Sequence, residues 1–126
     1  MRFATKIVVT GGTGFVGCHT VSELFNSNHK LLLIVRSKNR VESALAPLGV
    51  NLSQINIVEG DVTDRAVVRY ALDGMDAVVH AASVYTLDKR RSAEILRTNK
   101  RGAEIVLEES CRADIDPILH VSSVAA

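Results

Sequence analysis

A glycine-rich turn that follows a short apolar run, KIVVTGGTGFVG from Lys6 to Gly17, constrains the fold more than any other stretch of this chain. Residues 7–10 are all β-branched, which favours a strand, and an unbroken run of this kind suits a strand that is covered on both faces. After the turn, apolar residues recur at helical spacing from Phe15 onward. The stretch therefore predicts a strand, a tight turn and a helix in immediate succession.

Such a turn is typical of a phosphate site. The first turn of a helix has unpaired backbone N–H groups and a partial positive charge, and both face whatever lies in front of the helix. In this interpretation Gly11 permits the tight turn, Gly14 lets the backbone approach a pyrophosphate, and Gly17 lets helix and strand pack closely. The alternative is a glycine-rich loop without a ligand, and the turn alone does not distinguish this loop from a phosphate site.

Composition and charge exclude several classes of function. The 126 residues suffice for one modest domain, and 15 basic against 14 acidic residues give no reason to expect nucleic acid or a membrane surface as partner. No stretch approaches the ~18 apolar residues that span a bilayer, and the N-terminus lacks an apolar signal segment, so we expect a cytoplasmic protein. Cys18 and Cys111 lie far apart in predicted helices, and we expect neither a disulfide nor a metal site.

Strands and helices alternate along the rest of the sequence. Further strands are predicted at Lys30–Val35, Ile55–Glu59, in the segment 76–83 and at Ile118–Val121, and further helices over 41–48, Arg65–Leu72 and Lys89–Arg112, with Asp64 and Asp88 as helix caps. Right-handed crossovers then give an α/β fold, a doubly wound parallel sheet of the Rossmann type in the order 3-2-1-4-5. The phosphates of a dinucleotide would lie at its switch point, beside strand one.

The second strand ends at Arg36, a position that bears on the choice of cofactor. A dinucleotide domain places this residue beside the adenosine ribose, roughly 20 residues past the glycines, where Asp or Glu would bind the 2′-hydroxyl. Here the residue is arginine, with Lys38 and Arg40 close behind and no acid before Glu42, a set that can pair with a 2′-phosphate. We therefore expect NADP rather than NAD, although a solvated basic loop would look the same in sequence.

Six segments in order, TGGTGFVG, VR, GDVTD, VVHAAS, TNKRG and HVSS, cover essentially the whole chain. Together they resemble the amino-terminal part of the extended short-chain dehydrogenases/reductases, the NAD-dependent epimerase/dehydratase superfamily, and most of all its branch of dihydroflavonol reductases and 3β-hydroxysteroid dehydrogenases. The resemblance implies hydride transfer between NADP(H) and a carbonyl or alcohol carbon of a small molecule. In such enzymes a tyrosine acts as acid or base, a lysine lowers its pKa, and a serine holds the substrate oxygen.

The resemblance also implies roles for individual residues. Asp61 and Val62 would lie under the adenine, although Asp61 could equally be a turn residue or helix cap, and Ala81 and Ala82 would leave room for the inner ribose and phosphates. The implied catalytic serine is Ser123. The full cofactor-binding set is Gly11, Thr13, Gly14, Phe15, Val16, Gly17, Arg36, Arg40, Asp61, Val62, Ala81, Ala82 and Ser83.

Three further positions invite a functional interpretation. By the same resemblance, Asn99 would order a water molecule of the proton relay, or it is a polar helix residue that faces solvent. His80 is expected to be a packed residue at the end of strand four. The pattern YTLDK, from Tyr85 to Lys89, matches Tyr-x-x-x-Lys but follows the fourth strand, whereas the catalytic pair of this family lies on a helix after the fifth, so we reject it.

The chain ends three residues past Ser123, before the helix that would carry the tyrosine and lysine. We therefore expect residues 1–126 to form an incomplete dinucleotide-binding domain without its substrate part, inactive alone, whose fifth strand has an open edge. The helix over 89–112 implies a homodimer by the same resemblance. Two other functions stay open: a non-catalytic NAD(P)-sensing module, and an NAD-dependent sugar-nucleotide epimerase or dehydratase, against which Arg36 counts.

Overall fold

The computed structural model describes residues 5–84 and 87–122, which alternate between strands and helices. Three short 3₁₀ turns, at Ala46–Leu48, Leu52–Gln54 and Lys89–Arg91, join or extend the main elements. Those main elements are β1 (Lys6–Thr10), α1 (Phe15–Asn26), β2 (Lys30–Val35), α2 (Asn39–Leu45), β3 (Asn56–Glu59), α3 (Arg65–Leu72), β4 (Ala77–His80), α4 (Ser92–Arg112) and β5 (Ile118–His120).

The five strands form one parallel sheet in the order β3-β2-β1-β4-β5, which confirms the predicted fold. β1 lies at the centre and pairs with β2 on one side and β4 on the other, so that Val9 is opposite Leu33 and Val79. From β1 the chain continues to β2 and β3 on one side and then crosses to β4 and β5 on the other, and this reversal of direction creates a crevice beyond the carboxyl ends of the strands. The glycine turn follows β1 at this point.

Alternate residues of β1 pack into two separate hydrophobic clusters, one on each face of the sheet. Ile7 and Val9 pack with Val21 of α1 and with residues of α2, whereas Val8 points to the opposite face and packs with Val68 of α3 and with residues of α4. Val8, Val9 and Val21 are fully buried. Coverage on both faces explains why β1 is an unbroken apolar run rather than an alternating one.

The element boundaries differ from the predicted ones by at most three residues. β3 begins at Asn56 and β5 ends at His120, each one residue short of the prediction, and the predicted helix over 89–112 begins as the 3₁₀ turn before α4. Both predicted caps are confirmed, because the side chain of Asp64 accepts the Ala66 N–H at 3.1 Å and that of Asp88 accepts the Arg90 N–H at 3.0 Å.

A charged cluster joins α3 to α4 on one side of the sheet. The Glu109 carboxylate accepts from Arg65 Nη1 at 2.8 Å and from Arg69 Nε and Nη2, both at 3.0 Å, although its side chain is only 2% exposed. The hydrogen bonds from Arg69 and then Arg65 lower the pKa of Glu109 to about 2. Glu109 is therefore an ionised group buried between the two helices, with its charge neutralised by guanidinium groups.

The same substitution at two glycines of the turn should destabilise the protein to very different extents. A Cβ on Gly17 would lie 1.8 Å from the Gly11 carbonyl oxygen, whereas a Cβ on Gly14 would meet that oxygen at 3.4 Å, an ordinary contact. We expect Gly17→Ala to lower the free energy of unfolding by about 3 kcal/mol, because rigid backbone would have to move. Gly14→Ala should cost less than about 1 kcal/mol, the effect of alanine at an N-cap. Urea unfolding followed by circular dichroism measures both, and equal midpoints would contradict the packing at Gly17.

Candidate functional site

The glycine turn is pressed against the end of β4. Gly11 has φ +73°, and a Cβ at this position would lie 2.6 Å from the carbonyl carbon of Ala81 and the nitrogen of Ala82. The turn is closed by a hydrogen bond from the Gly14 N–H to the Gly11 carbonyl oxygen, at 3.1 Å. Only glycine fits at residue 11, on grounds of both conformation and space. The turn and the Ala81–Ala82 segment, predicted separately, thus lie in contact.

The N-terminus of α1 opens directly beyond this turn. Gly14 is its N-cap and supplies no side-chain acceptor, and the first turn holds no acidic residue. The backbone N–H groups of Phe15, Val16 and Gly17 come before the first intrahelical hydrogen bond, which Cys18 N donates to Gly14 O at 2.8 Å. The Phe15 and Val16 side chains are 83% and 52% exposed. These amides can therefore bind an anionic group in front of the helix.

The Thr10 hydroxyl joins the ends of β1 and β4. Its oxygen accepts the backbone N–H groups of Ala81 and Ala82, both at 3.1 Å, and lies 2.6 Å from His80 Nδ1. A hydroxyl has two acceptor sites and one proton, so with both sites occupied it donates to Nδ1. These hydrogen bonds assign His80 as a neutral imidazole with its proton on Nε2.

His80 is the packed residue that the sequence predicted. Its side chain is 3% exposed, and burial lowers its pKa to about 4, with a smaller contribution from the nearby His120. The two imidazole centroids lie 5.4 Å apart at the ends of β4 and β5. His80 is therefore uncharged at neutral pH and holds the strand ends together through Thr10.

A cleft lies at the ends of β2, β3 and β4. Its lining includes five of the residues predicted to bind the cofactor, namely Arg36, Asp61, Val62, Ala82 and Ser83. Four further residues complete the lining, namely Val84 and, from α4, Thr98, Asn99 and Gly102. Arg40 is not part of this lining, since it lies exposed in the first turn of α2, and Thr13 is half-buried in the glycine turn.

Asp61 is a turn residue, and it also lines the cleft. Its Oδ1 accepts the backbone N–H and the hydroxyl of Thr63, each at 2.9 Å, which makes it a turn residue. Its Oδ2 lies 3.8 Å from Arg36 Nε, at the cleft. The Thr63 backbone hydrogen bond lowers the pKa of Asp61 most, and the Thr63 hydroxyl and Arg36 lower it further against the effect of burial. Asp61 is therefore ionised at neutral pH, and its contact with adenine stays a prediction.

Asn99 does not face solvent as a free polar residue. Its Oδ1 accepts the Val84 N–H at 2.7 Å, and its Nδ2 donates to the Val84 carbonyl oxygen at 2.9 Å. One turn further along α4, a Cβ on Gly102 would lie 2.8 Å from Val62 Cγ2. α4 thus contacts two walls of the cleft. Sequence reasoning missed this contact with Val84, and the proposed water relay through Asn99 stays untested.

Several predicted positions lie elsewhere. Ser123 and Tyr85 fall outside the described residues, and Lys89 lies in the 3₁₀ turn before α4, so the described part of YTLDK follows β4 rather than β5. Within residues 5–84 and 87–122, no helix is long and apolar enough to cross a membrane. In the same ranges, both cysteines are free, and no three His, Cys, Asp or Glu side chains come together as a metal site.

Comparison with known proteins gives a consistent picture. The model of a family described as "NAD dependent epimerase/dehydratase family" matches residues 7–126. UDP-glucose 4-epimerase of Neisseria meningitidis serogroup B is 34% identical over 94% of this chain, which covers 36% of that protein. The 3 beta-hydroxysteroid dehydrogenase/Delta 5-->4-isomerase of Mycobacterium tuberculosis is 32% identical over 94% of the chain, covering 31% of its own length. A putative dihydroflavonol 4-reductase of Synechocystis is 30% identical over 100% of the chain, covering 35% of its own length.

Solved structures agree with this match. The Bordetella bronchiseptica enzyme WbmG, crystallised in complex with NAD and UDP, superposes with a TM-score of 0.76 at 25% identity, and the match covers 94% of this chain and 37% of WbmG. The chain thus spans about a third of the length of the proteins it matches.

The buried histidine makes stability sensitive to acid. Histidine in an unfolded chain titrates near pH 6.5 and folded His80 at about 4, so between these values the unfolded state binds more protons. The contribution of neutral His80 to the free energy of unfolding is fully present above pH 6.5, and it is lost, at about 1.4 kcal/mol per pH unit, as pH falls towards 4.

Urea midpoints measured between about pH 7 and about pH 5 test this dependence, in a range above the titration of the carboxylates. His80→Gln should flatten the slope, whereas His19→Gln, at an exposed position on α1, should leave it unchanged. A slope that is the same in all three proteins would mean that His80 is not the titrating group.

Proposed function

Because the chain belongs to the NAD dependent epimerase/dehydratase family, we propose that it binds the dinucleotide of an NADP(H)-dependent oxidoreductase. The proposed enzyme transfers a hydride between the nicotinamide and a carbonyl or alcohol carbon of a small substrate. One observation carries the proposal: the uncapped N-terminus of α1 opens at the central strand, against the end of β4. This is the position at which a doubly wound sheet binds a pyrophosphate.

The phosphate end of the proposed site consists of backbone. The amides of Phe15, Val16 and Gly17 supply donors, and Thr13 adds a side chain from the turn before them. Gly14 is exposed, and a Cβ there would have no neighbour closer than 3.4 Å, so it would project into space that the proposed phosphates occupy. The absence of a carboxylate in the first turn of α1 leaves nothing to repel them.

The adenosine end is the cleft beneath Arg36. The Arg36 side chain is 70% exposed, and its guanidinium can form two hydrogen bonds to a 2′-phosphate. Arg40, exposed on α2, supplies a second positive charge nearby in this proposal. Asp61 and Val62 would contact the adenine, and Ala81, Ala82 and Ser83 would lie along the inner ribose.

The nicotinamide supplies the hydride, and the residues of this chain bind and orient it. In the proposal, Ser123 donates a hydrogen bond to the substrate oxygen. A tyrosine near its usual pKa of ~10 needs a neighbouring cation to exchange a proton at neutral pH. We assign this task to a Tyr-x-x-x-Lys pair beyond residue 126, and the greater length of the relatives is compatible with that assignment. A homodimer that forms through α4 belongs to the same proposal.

An NAD-dependent sugar-nucleotide epimerase is the second candidate. The similarity to UDP-glucose 4-epimerase, at 34% identity, and to WbmG, whose structure holds NAD and UDP, favours it. Arg36 at the end of β2 opposes it, since NAD offers a hydroxyl rather than a phosphate at that position. A non-catalytic NAD(P)-sensing module would need the glycine turn but not Ser123. Cofactor preference separates the first two candidates.

Loss of phosphate binding can be separated from loss of the fold at Gly14. We expect Gly14→Ala to raise the Kd for NADPH by about tenfold or more, because its Cβ displaces the phosphates from the amides, while the protein stays folded. Isothermal titration measures the Kd. Gly74→Asn, a glycine substitution in the turn after α3 that asparagine tolerates at φ +73°, should bind NADPH as the wild type does. Unchanged affinity in Gly14→Ala would place the phosphates elsewhere.

Arg36 should determine the choice of cofactor. We expect the wild type to bind NADPH more tightly than NADH and Arg36→Asp to bind NADH more tightly, because aspartate repels a 2′-phosphate and accepts from a 2′-hydroxyl. Lys30→Asp makes the same charge change at the other end of β2 and should leave the preference unchanged. Equal wild-type affinities, or an Arg36→Asp protein that still prefers NADPH, would remove this role.

A further inference from the structure

We propose that Asp61 limits the discrimination between NADPH and NADH by competing with the 2′-phosphate for Arg36. The inference rests on the proposed function of the cleft and adds to it a residue that determines specificity. Asp61 would thereby act at two places, beside the adenine through its position in the cleft and beside the ribose through its ion pair.

Thr63 holds the Asp61 carboxylate in place on the side away from Arg36. The N–H and the hydroxyl of Thr63 both donate to Oδ1, at 2.9 Å each, which fixes the carboxylate plane and leaves Oδ2 directed towards Arg36. These same bonds keep the pKa of Asp61 low, so the group carries its full charge at neutral pH. Thr63 is therefore a positioning residue for the ion pair.

The ion pair is loose enough to be opened by a ligand. Arg36 Nε and Asp61 Oδ2 lie 3.8 Å apart, and the side chains are 70% and 43% exposed. An exposed pair of this kind contributes little to stability, at most a small factor in an equilibrium constant. A 2′-phosphate, with more than one negative charge and several acceptor oxygens, would bind the terminal guanidinium nitrogens more strongly than a single carboxylate does.

The charge balance of the cleft follows from the pair. Among the described residues that line the cleft, Arg36 and Asp61 are the charged ones, and they cancel. Lys38, just before α2, and Arg40, in its first turn, are exposed and are not part of the lining. The lining of the cleft is therefore close to neutral, which lets it accept a 2′-hydroxyl and reduces the advantage of a 2′-phosphate, while Arg40 adds its charge from outside this lining.

The test is a double-mutant cycle on the ratio of the two dissociation constants, Kd for NADH over Kd for NADPH. We expect Asp61→Asn to raise this ratio about two- to fivefold, the range of an exposed ion pair. Any uniform loss of adenine binding cancels in the ratio. In an Arg36→Ala background, Asp61→Asn should leave the ratio unchanged, because the residue through which Asp61 acts is gone.

Two controls accompany the cycle. Asp64→Asn makes the same substitution at the cap of α3, outside the cleft lining, and should not change the ratio. Asp61→Ser removes the charge while keeping an oxygen that can accept the Thr63 N–H, and should act like Asp61→Asn. Thermal unfolding verifies that Asp61→Asn, Asp61→Ser and Asp64→Asn all fold.

Each outcome decides between the two proposals. If wild-type protein binds neither NADPH nor NADH, the proposed function fails. If both bind and the ratio is unchanged in Asp61→Asn and Asp61→Ser, this inference fails while the proposed function stands. An equal rise in the ratio with and without Arg36 would also overturn it, since Asp61 would then act on the cofactor directly.

Discussion

The close approach of three backbone segments at the carboxyl end of β1 determines the geometry of the whole candidate site. The start of α1 lies on the Gly11 carbonyl through Gly17, and Gly11 in turn lies against Ala81 and Ala82 at the end of β4. Neither contact leaves room for a Cβ. Because the segments touch through backbone, the direction of α1 relative to the sheet is fixed, and the amides of its first turn are left free to bind a ligand.

Hydrogen bonds of the Thr10 hydroxyl connect the same strand ends that the glycines bring into contact. The strands end here, so the amides of Ala81 and Ala82 need acceptors, and the Thr10 hydroxyl serves both while its own proton goes to His80. A valine at residue 10 would keep the β-branched shape but leave the Ala82 N–H and His80 Nδ1 without this partner, whereas the Ala81 N–H also donates to the backbone oxygen of residue 10 at 3.1 Å. α4 then connects two regions, since Asn99 and Gly102 touch the cleft and Glu109 binds the arginines of α3. A single helix thus contacts both the cleft and α3.

The sequence predicted the elements whose signals are local and missed the contacts between distant segments. The strand order followed from alternating patterns and chain topology, and the capping role of Asp64 followed from its place before an apolar helix. Thr10 looked like one more β-branched strand residue, since its partner His80 is 70 residues away. Nothing in the sequence around Glu109 indicates its burial, because the arginines that neutralise it come from α3. No local pattern distinguishes such residues from exposed ones.

Membership of the family determines the frame of the site but not its cofactor or substrate. Relatives with three different names match this chain at 34%, 32% and 30% identity, values too close to separate an epimerase from a reductase. The glycine turn, the parallel sheet and the backbone donors serve any dinucleotide, since the pyrophosphate is common to NAD and NADP. Discrimination has to come from the one place where the two cofactors differ, the 2′ position of the adenosine ribose. In the proposed site, Arg36 lies at this position and pairs with Asp61 at 3.8 Å, so we expect the preference to depend on how strongly Asp61 holds Arg36.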